Sequence, residues 1–227
     1  MPETLSEAPT HPVSSAPVPA DHVRFTETMH GWLSTNVGTS HEVAAADGRA
    51  RTSRGLFILT VVTPDVDALV VDPTHRSPAF GCVLLPTLHA RPLRVAEGHL
   101  DLFVDTELGS RVLHMRYGLR LEAEDGRRYF LRGIKEVARR RWWPTVAADT
   151  TTLFTDVYAG DDALGTPLLR GVLVMGPGGV LAQGLSFRGE GGWLGLRGIV
   201  RYLSYYVARV SRVYFGPRTV QGSTRPR

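Results

Sequence analysis

The chain is short of cysteine, of lysine and of long apolar runs. Cys82 is the only cysteine in 227 residues, which excludes an intrachain disulfide and a cysteine-based zinc site. That usage fits a reducing compartment. Of 26 basic side chains Lys135 alone is a lysine, and the rest are arginine. Such a skew follows genome composition more readily than function, so the exception is the residue to place. No stretch of about 18 apolar residues occurs, and so no helix is expected to span a membrane. Residues 1–22 are rich in Pro, Ser and Ala. They lack the positive start and apolar run of a secretory signal and read as a disordered tail. A soluble, cytoplasmic protein is the expectation.

Complete catalytic motifs are also missing. Gly184-Leu185-Ser186-Phe187-Arg188-Gly189 is one residue away from the G-x-S-x-G elbow, but it sits in an expected hairpin strand rather than a strand–turn–helix. The glycines from Gly171 to Gly179 fit neither a phosphate loop nor a dinucleotide fingerprint. None of the eight histidines pairs at H-x-H or H-x-x-x-H spacing, so no metal site is assigned. His75 falls in an expected loop. No cofactor is implied. A net charge of +4 without a concentrated patch gives no case for nucleic acid.

What is present is β texture. Hydrophobic residues make up 43% of the chain, enough for a sizeable core, and 24 Gly with 15 Pro favour many turns. Between 111 and 123, Leu113, Met115, Tyr117, Leu119, Leu121 and Ala123 alternate with Arg116, Arg120 and Glu122, an antiparallel strand with one wet face. Asp125-Gly126 makes a hairpin into strand 128–137. Asp47-Gly48 reads as another hairpin, and Pro177-Gly178-Gly179 as a third between strands 168–175 and 180–187. Further strands are expected at 25–33, 55–62, 67–72, 80–85, 93–104 and 151–158. This spacing predicts an antiparallel β-barrel, calycin-like in shape, or a sandwich. After Trp193 the period changes. Leu196, Ile199, Val200, Leu203, Tyr206, Val207, Val210 and Val213 recur at helical spacing, with Arg197, Arg201, Arg209 and Arg212 between them. The organisation expected is a tail (1–22), a barrel (23–192), an amphipathic helix packed on it (193–215) and a flexible tail (216–227). The helix either closes the barrel with its apolar stripe or makes a peripheral membrane contact through those arginines. Arg139-Arg140-Arg141-Trp142-Trp143-Pro144 reads as a loop capping a barrel end.

One phrase occurs twice. Phe25-Thr26-Glu27-Thr28-Met29-His30-Gly31 returns as Phe154-Thr155-Asp156-Val157-Tyr158-Ala159-Gly160, and Arg54-Gly55-Leu56-Phe57-Ile58-Leu59 is echoed by Arg170-Gly171-Val172-Leu173-Val174-Met175. The echoes predict a fold of two related halves. Strand parity puts Glu27 with Phe25 and Met29, Asp156 with Phe154 and Tyr158, and Lys135 with Tyr129, Leu131 and Val137. A buried charge needs a partner, so Glu27, Lys135 and Asp156 are expected to meet inside the barrel, with Arg54 and Arg170 closing the network from strand ends. Tyr117, Met29 and Tyr158 would line the same interior. One reading is a polar anchor on the floor of an apolar cavity; the other is a structural network fixing register. A small barrel enzyme, with Glu27 or Asp156 as general acid or base for an isomerase, cyclase or lyase, is the rival function.

The segment Phe25 to Gly31 resembles one in bacterial multidomain proteins related to cholesterol oxidase. So do Met115-x-Tyr117, Gly126-x-x-Tyr129-x-Leu131-x-Gly133-x-Lys135 and the run Asp149 to Thr155. In those proteins a glucose–methanol–choline-type flavin oxidoreductase region is joined to an α/β-hydrolase region, and residues 24–190 resemble the connecting module. The flavin fingerprint and the hydrolase elbow are both missing here, so neither activity carries over. The resemblance implies a setting of sterol-like or other lipophilic substrates. It points to a non-catalytic module that binds such a molecule or docks with a separate flavin oxidoreductase.

Overall fold

Strand β1 (Val23–Ser34) alternates buried and accessible side chains, and β2, β6 and β8 keep that rhythm. A computed structural model describes residues 22–105, 112–138, 150–190 and 192–215. The residue 1–21 tail, the Arg139–Pro144 motif and the 216–227 tail lie outside the described residues. After β1 come α1 (His41–Ala50), β2 (Arg54–Thr63), α2 (Val66–Val71), β3 (Arg76–Leu84), β4 (Leu93–Asp105), β5 (Val112–Glu122) and β6 (Arg128–Ala138). Then follow β7 (Thr152–Ala159), β8 (Leu169–Val174), α3 (Pro177–Ser186), β9 (Arg188–Gly189) and α4 (Trp193–Phe215).

The sheet runs β2-β3-β4-β5-β6-β7-β8-β1 and closes because β1 also pairs with β2, all antiparallel. The result is an eight-stranded barrel with a C-terminal helix, a calycin-like architecture rather than a sandwich. Closure removes exposed edges. The interior is filled by the alternating inward set, including Phe57, Leu119, Leu131, Leu153, Leu169 and Leu173.

The seam between β1 and β8 is incomplete. β8 pairs with β1 only over His30–Ser34, while β9 pairs with Val23 and Arg24. Since β2 holds the other edge of β1, β8 and β9 lie on the same edge. They form one wall strand interrupted by α3. Across the interruption the Thr26 amide donates to Ser186 Oγ at 2.8 Å, which satisfies a donor the ladder leaves open.

Four local expectations are corrected. The Asp47-Gly48 hairpin is instead the middle of α1, started by Ser40, whose side chain accepts from the Val43 amide. Gly48 serves close approach, since a Cβ there would lie 2.4 Å from the Leu33 carbonyl oxygen. The strand at 67–72 is instead α2, capped by Asp65, which accepts from the Asp67 and Ala68 amides. The Pro177-Gly178-Gly179 hairpin and the strand at 180–187 are both replaced by α3, with Gly176 as N-cap and Pro177 in the first turn.

The fourth correction concerns α4. It packs on the barrel through Gly195, Gly198, Tyr202 and Val213, with Ile199, Tyr206 and Val210 of the expected stripe half-buried against the core, while Leu196, Val200, Leu203 and Val207 face solvent. Arg209 is turned inward, and its Nη2 donates to the Phe103 carbonyl at 2.6 Å. Aromatic side chains decide this rotation. Tyr202 sits against Phe25 and Phe187, and Tyr206 against Phe103, with ring centroids 5.8, 5.9 and 4.9 Å apart. Phe103 is presented to the helix by a bulge in β4 and has a left-handed φ of 56°.

Candidate functional site

Glu27 and Lys135 meet in the barrel interior, with 1% and 3% of their surfaces exposed. Lys135 Nζ donates to Glu27 Oε1, and the Tyr117 hydroxyl donates to Glu27 Oε2 at 2.7 Å. The ammonium also lies 5.2 Å from the centroid of the Tyr117 ring. These side chains come from β1, β6 and β5 and are more than 90 residues apart in sequence for Lys135 and Glu27, so only the closed barrel assembles them. Both carboxylate oxygens are engaged, which offsets the desolvation of the charges. Burial, and then the adjacent Glu27 charge, push the Tyr117 phenol well above its ordinary range, so it stays a neutral donor.

The cluster forms the closed end of a cavity of about 310 Å³. Phe25, Leu100, Leu102, Met115, Met175 and Phe187 supply apolar walls. Tyr202 and Tyr206 of α4 add two phenols, each raised by burial and kept neutral. The mouth lies between the helices, where Val180 and Gly184 of α3 and Leu203 of α4 are both lining and exposed. The space is enough for about ten waters, and it lies at the small end of ligand sites.

Asp156 is not part of this cluster. Leu153, Thr155 and Val157 are the inward residues of β7, and Asp156 points out of the barrel with Phe154 and Tyr158. It is buried beneath α1. Arg170 Nε donates to Oδ1 at 2.7 Å, Arg132 Nη2 to Oδ2 at 3.0 Å, and His41 Nε2 lies 3.3 Å from Oδ1. Burial raises the Asp156 carboxyl, but these three donors outweigh it and hold it far below the usual carboxylate range. Arg170 also donates to the Val37 and Thr39 carbonyls at 2.9 and 3.0 Å, tying down the turn before α1. This is a brace between α1 and the outer wall.

The other expected site residues divide the same way. Met29 is inward and fully buried, opposite Phe57, and does not line the cavity. Tyr158 lies outside the barrel, with the Arg132 guanidinium 5.4 Å from its ring centroid. Arg54 is exposed at the start of β2 and does not reach Glu27's cluster. Ser186 closes α3 onto β1, its hydroxyl 2.7 Å from the Gln183 carbonyl. His75 is half-buried, with Nδ1 donating to the Leu69 carbonyl at 2.8 Å and its ring 5.5 Å from Tyr205. Among the described residues no group of three His, Cys, Asp or Glu is placed to hold a metal ion.

Tyr206 reads in the sequence only as part of the helix's apolar stripe, and Tyr202 is not singled out. Their signal is there: Tyr202 and Tyr206 are one turn apart in the helix that follows the barrel, and both carry hydroxyls that need partners if buried. Comparison of the chain with protein-family models, curated proteins and solved structures gives no match.

Proposed function

We propose that the chain is a non-catalytic barrel module that binds a lipophilic, sterol-like small molecule by its polar end. One observation carries this reading. A buried Glu27–Lys135–Tyr117 cluster lines a mainly apolar cavity, to which Thr150, Thr151, Gln183, Tyr202 and Tyr206 add polar groups, and which opens between two helices. An apolar filling of the same volume is typically as stable as a buried ion pair, or more so, and a hydroxyl, carbonyl or carboxyl group entering from the mouth finds donors and an acceptor there. The sequence resemblance to cholesterol-oxidase-like proteins points to the same class of ligand. Docking with a flavin oxidoreductase rests on that resemblance alone.

An enzyme acting on a hydrophobic substrate is the weaker reading. Glu27 lines the cavity, but both its oxygens are already held by Lys135 and Tyr117. A free general base needs one available.

The test is organic extraction of the purified chain followed by mass spectrometry, together with titration by anilinonaphthalene sulfonate. Wild type is expected to carry a lipophile with one polar end and to enhance the probe's fluorescence. The double variant E27L/K135M, which removes both charges together, is expected to fold and to lose the lipophile. Equal retention by the variant, or a wild type with neither lipophile nor probe binding, overturns the proposal.

A further inference from the structure

The exposed apolar side chains are concentrated around the cavity mouth. Nine of the seventeen large apolar side chains that are exposed among the described residues fall between 177 and 215. A concentration of this kind marks an interaction surface rather than scatter. On α4, Leu196, Val200, Leu203 and Val207 follow one another at helical spacing, and Trp193 at the helix start is 79% exposed. On α3, Leu181 and Leu185 are 66% and 67% exposed, and none of its residues is buried.

Charge decides what covers this face. α4 contains four arginines and no acid. Arg197, Arg201 and Arg212 are exposed in the row beside the aliphatic one. Arg201 pairs with Asp67 of α2. Between 177 and 192 Arg188 and Glu190 are the charged residues. A second copy bound through a two-fold axis would set this face against itself, bringing arginine rows together with no acid in α4 to meet them. An anionic lipid surface answers both rows, the aliphatic one by insertion and the basic one by headgroup charge. No helix among the described residues is long and apolar enough to cross the membrane.

We propose that the outward face of α3 and α4 docks on the surface of an anionic lipid bilayer, with the cavity mouth turned toward it. Val180 and Leu203 belong to both the face and the mouth, so a lipophile passing between cavity and bilayer has a short apolar path. The docking stands independently of the cavity's occupant.

The test is co-sedimentation of the full chain with vesicles of phosphatidylcholine alone and of phosphatidylcholine with phosphatidylglycerol. Binding is expected to the anionic vesicles at low salt and to weaken as salt rises. V200E/V207E and R197E/R212E change exposed positions outside the cavity lining. Each is expected to lower apparent affinity for the anionic vesicles at least about tenfold while leaving melting and probe binding unchanged. E27L/K135M is expected to sediment like wild type, which separates loss of docking from loss of the ligand. A wild type that stays in the supernatant, or variants that bind as tightly, overturns the proposal. A dimer in analytical ultracentrifugation that V200E/V207E dissolves, without vesicle binding by wild type, also overturns it and gives the face to a second copy.

Discussion

Glu27 and Asp156 begin as equivalents in a repeated phrase and end on opposite sides of the barrel wall. For β1, β5 and β6 the alternation was legible, because only one set of each strand is consistently apolar, and parity placed Glu27, Tyr117 and Lys135 inside. The outer face of β7 is partly covered too, by His41 at the start of α1 and by the Arg132 and Arg170 side chains, so Asp156 and Tyr158 are buried like the inward set and parity does not choose between them. The consequence is a pH signature. Asp156 has a depressed folded-state value, so its contribution is full above the unfolded value of about 3.9 and is lost as pH falls through the lower folded one. D156N is expected to cost about 2 kcal/mol at pH 7. The gap between the melting temperatures of wild type and variant should close as pH falls below about 4. A gap that is constant with pH would refute the brace. At Glu27 the expectation concerns pairing. E27Q or K135M alone leaves one buried charge and should cost about 3–5 kcal/mol, whereas E27L/K135M should recover most of it. Urea titration of the three variants measures this.

At the scale of elements, the strands were legible and the helices between them were not. Pro and Gly punctuate turns in general, but in α3 they start a helix, and Gly48 in α1 makes room for Leu33. Local signals are the same in both settings, and the tertiary neighbour decides. α3 is weakly held. It contains Gly178, Gly179 and Gly184, has no side-chain cap and buries none of its residues. Glycine in a helix interior costs about 1 kcal/mol relative to alanine. A Cβ at Gly184 meets nothing within 4 Å. G184A should therefore slow amide exchange across α3 several-fold and raise the melting temperature slightly. Faster exchange in α3 would show that the glycine is needed for packing.

For the whole molecule, closure depends on how near β1 and β8 can come. Two glycines of the repeated phrases, Gly31 and Gly171, sit at this seam. A Cβ on Gly31 would lie 2.0 Å from the Val172 carbonyl oxygen, and one on Gly171 would lie 2.1 Å from that of Trp32. Each clash is with backbone, so neither can be relieved by a rotamer change, and the strands would have to part. Gly31 and Gly171 are thus required where the barrel closes, whereas Gly160, the counterpart of Gly31 in the repeated phrase, lies just past β7 with a φ of 88° and open space around it. G31A or G171A should cost about 3 kcal/mol or more, a fall in melting temperature of about 6–12 °C for a chain of this size. G55A is the contrast, because its Cβ would meet the end of the Leu33 side chain, which can shift. Since the same seam is already open beside Glu27, where α3 interrupts the wall, separating β1 from β8 at its paired half should widen the cavity. Probe fluorescence that changes in G31A below its melting temperature would fit that chain of causes. Unchanged melting and probe binding in both G31A and G171A would break it.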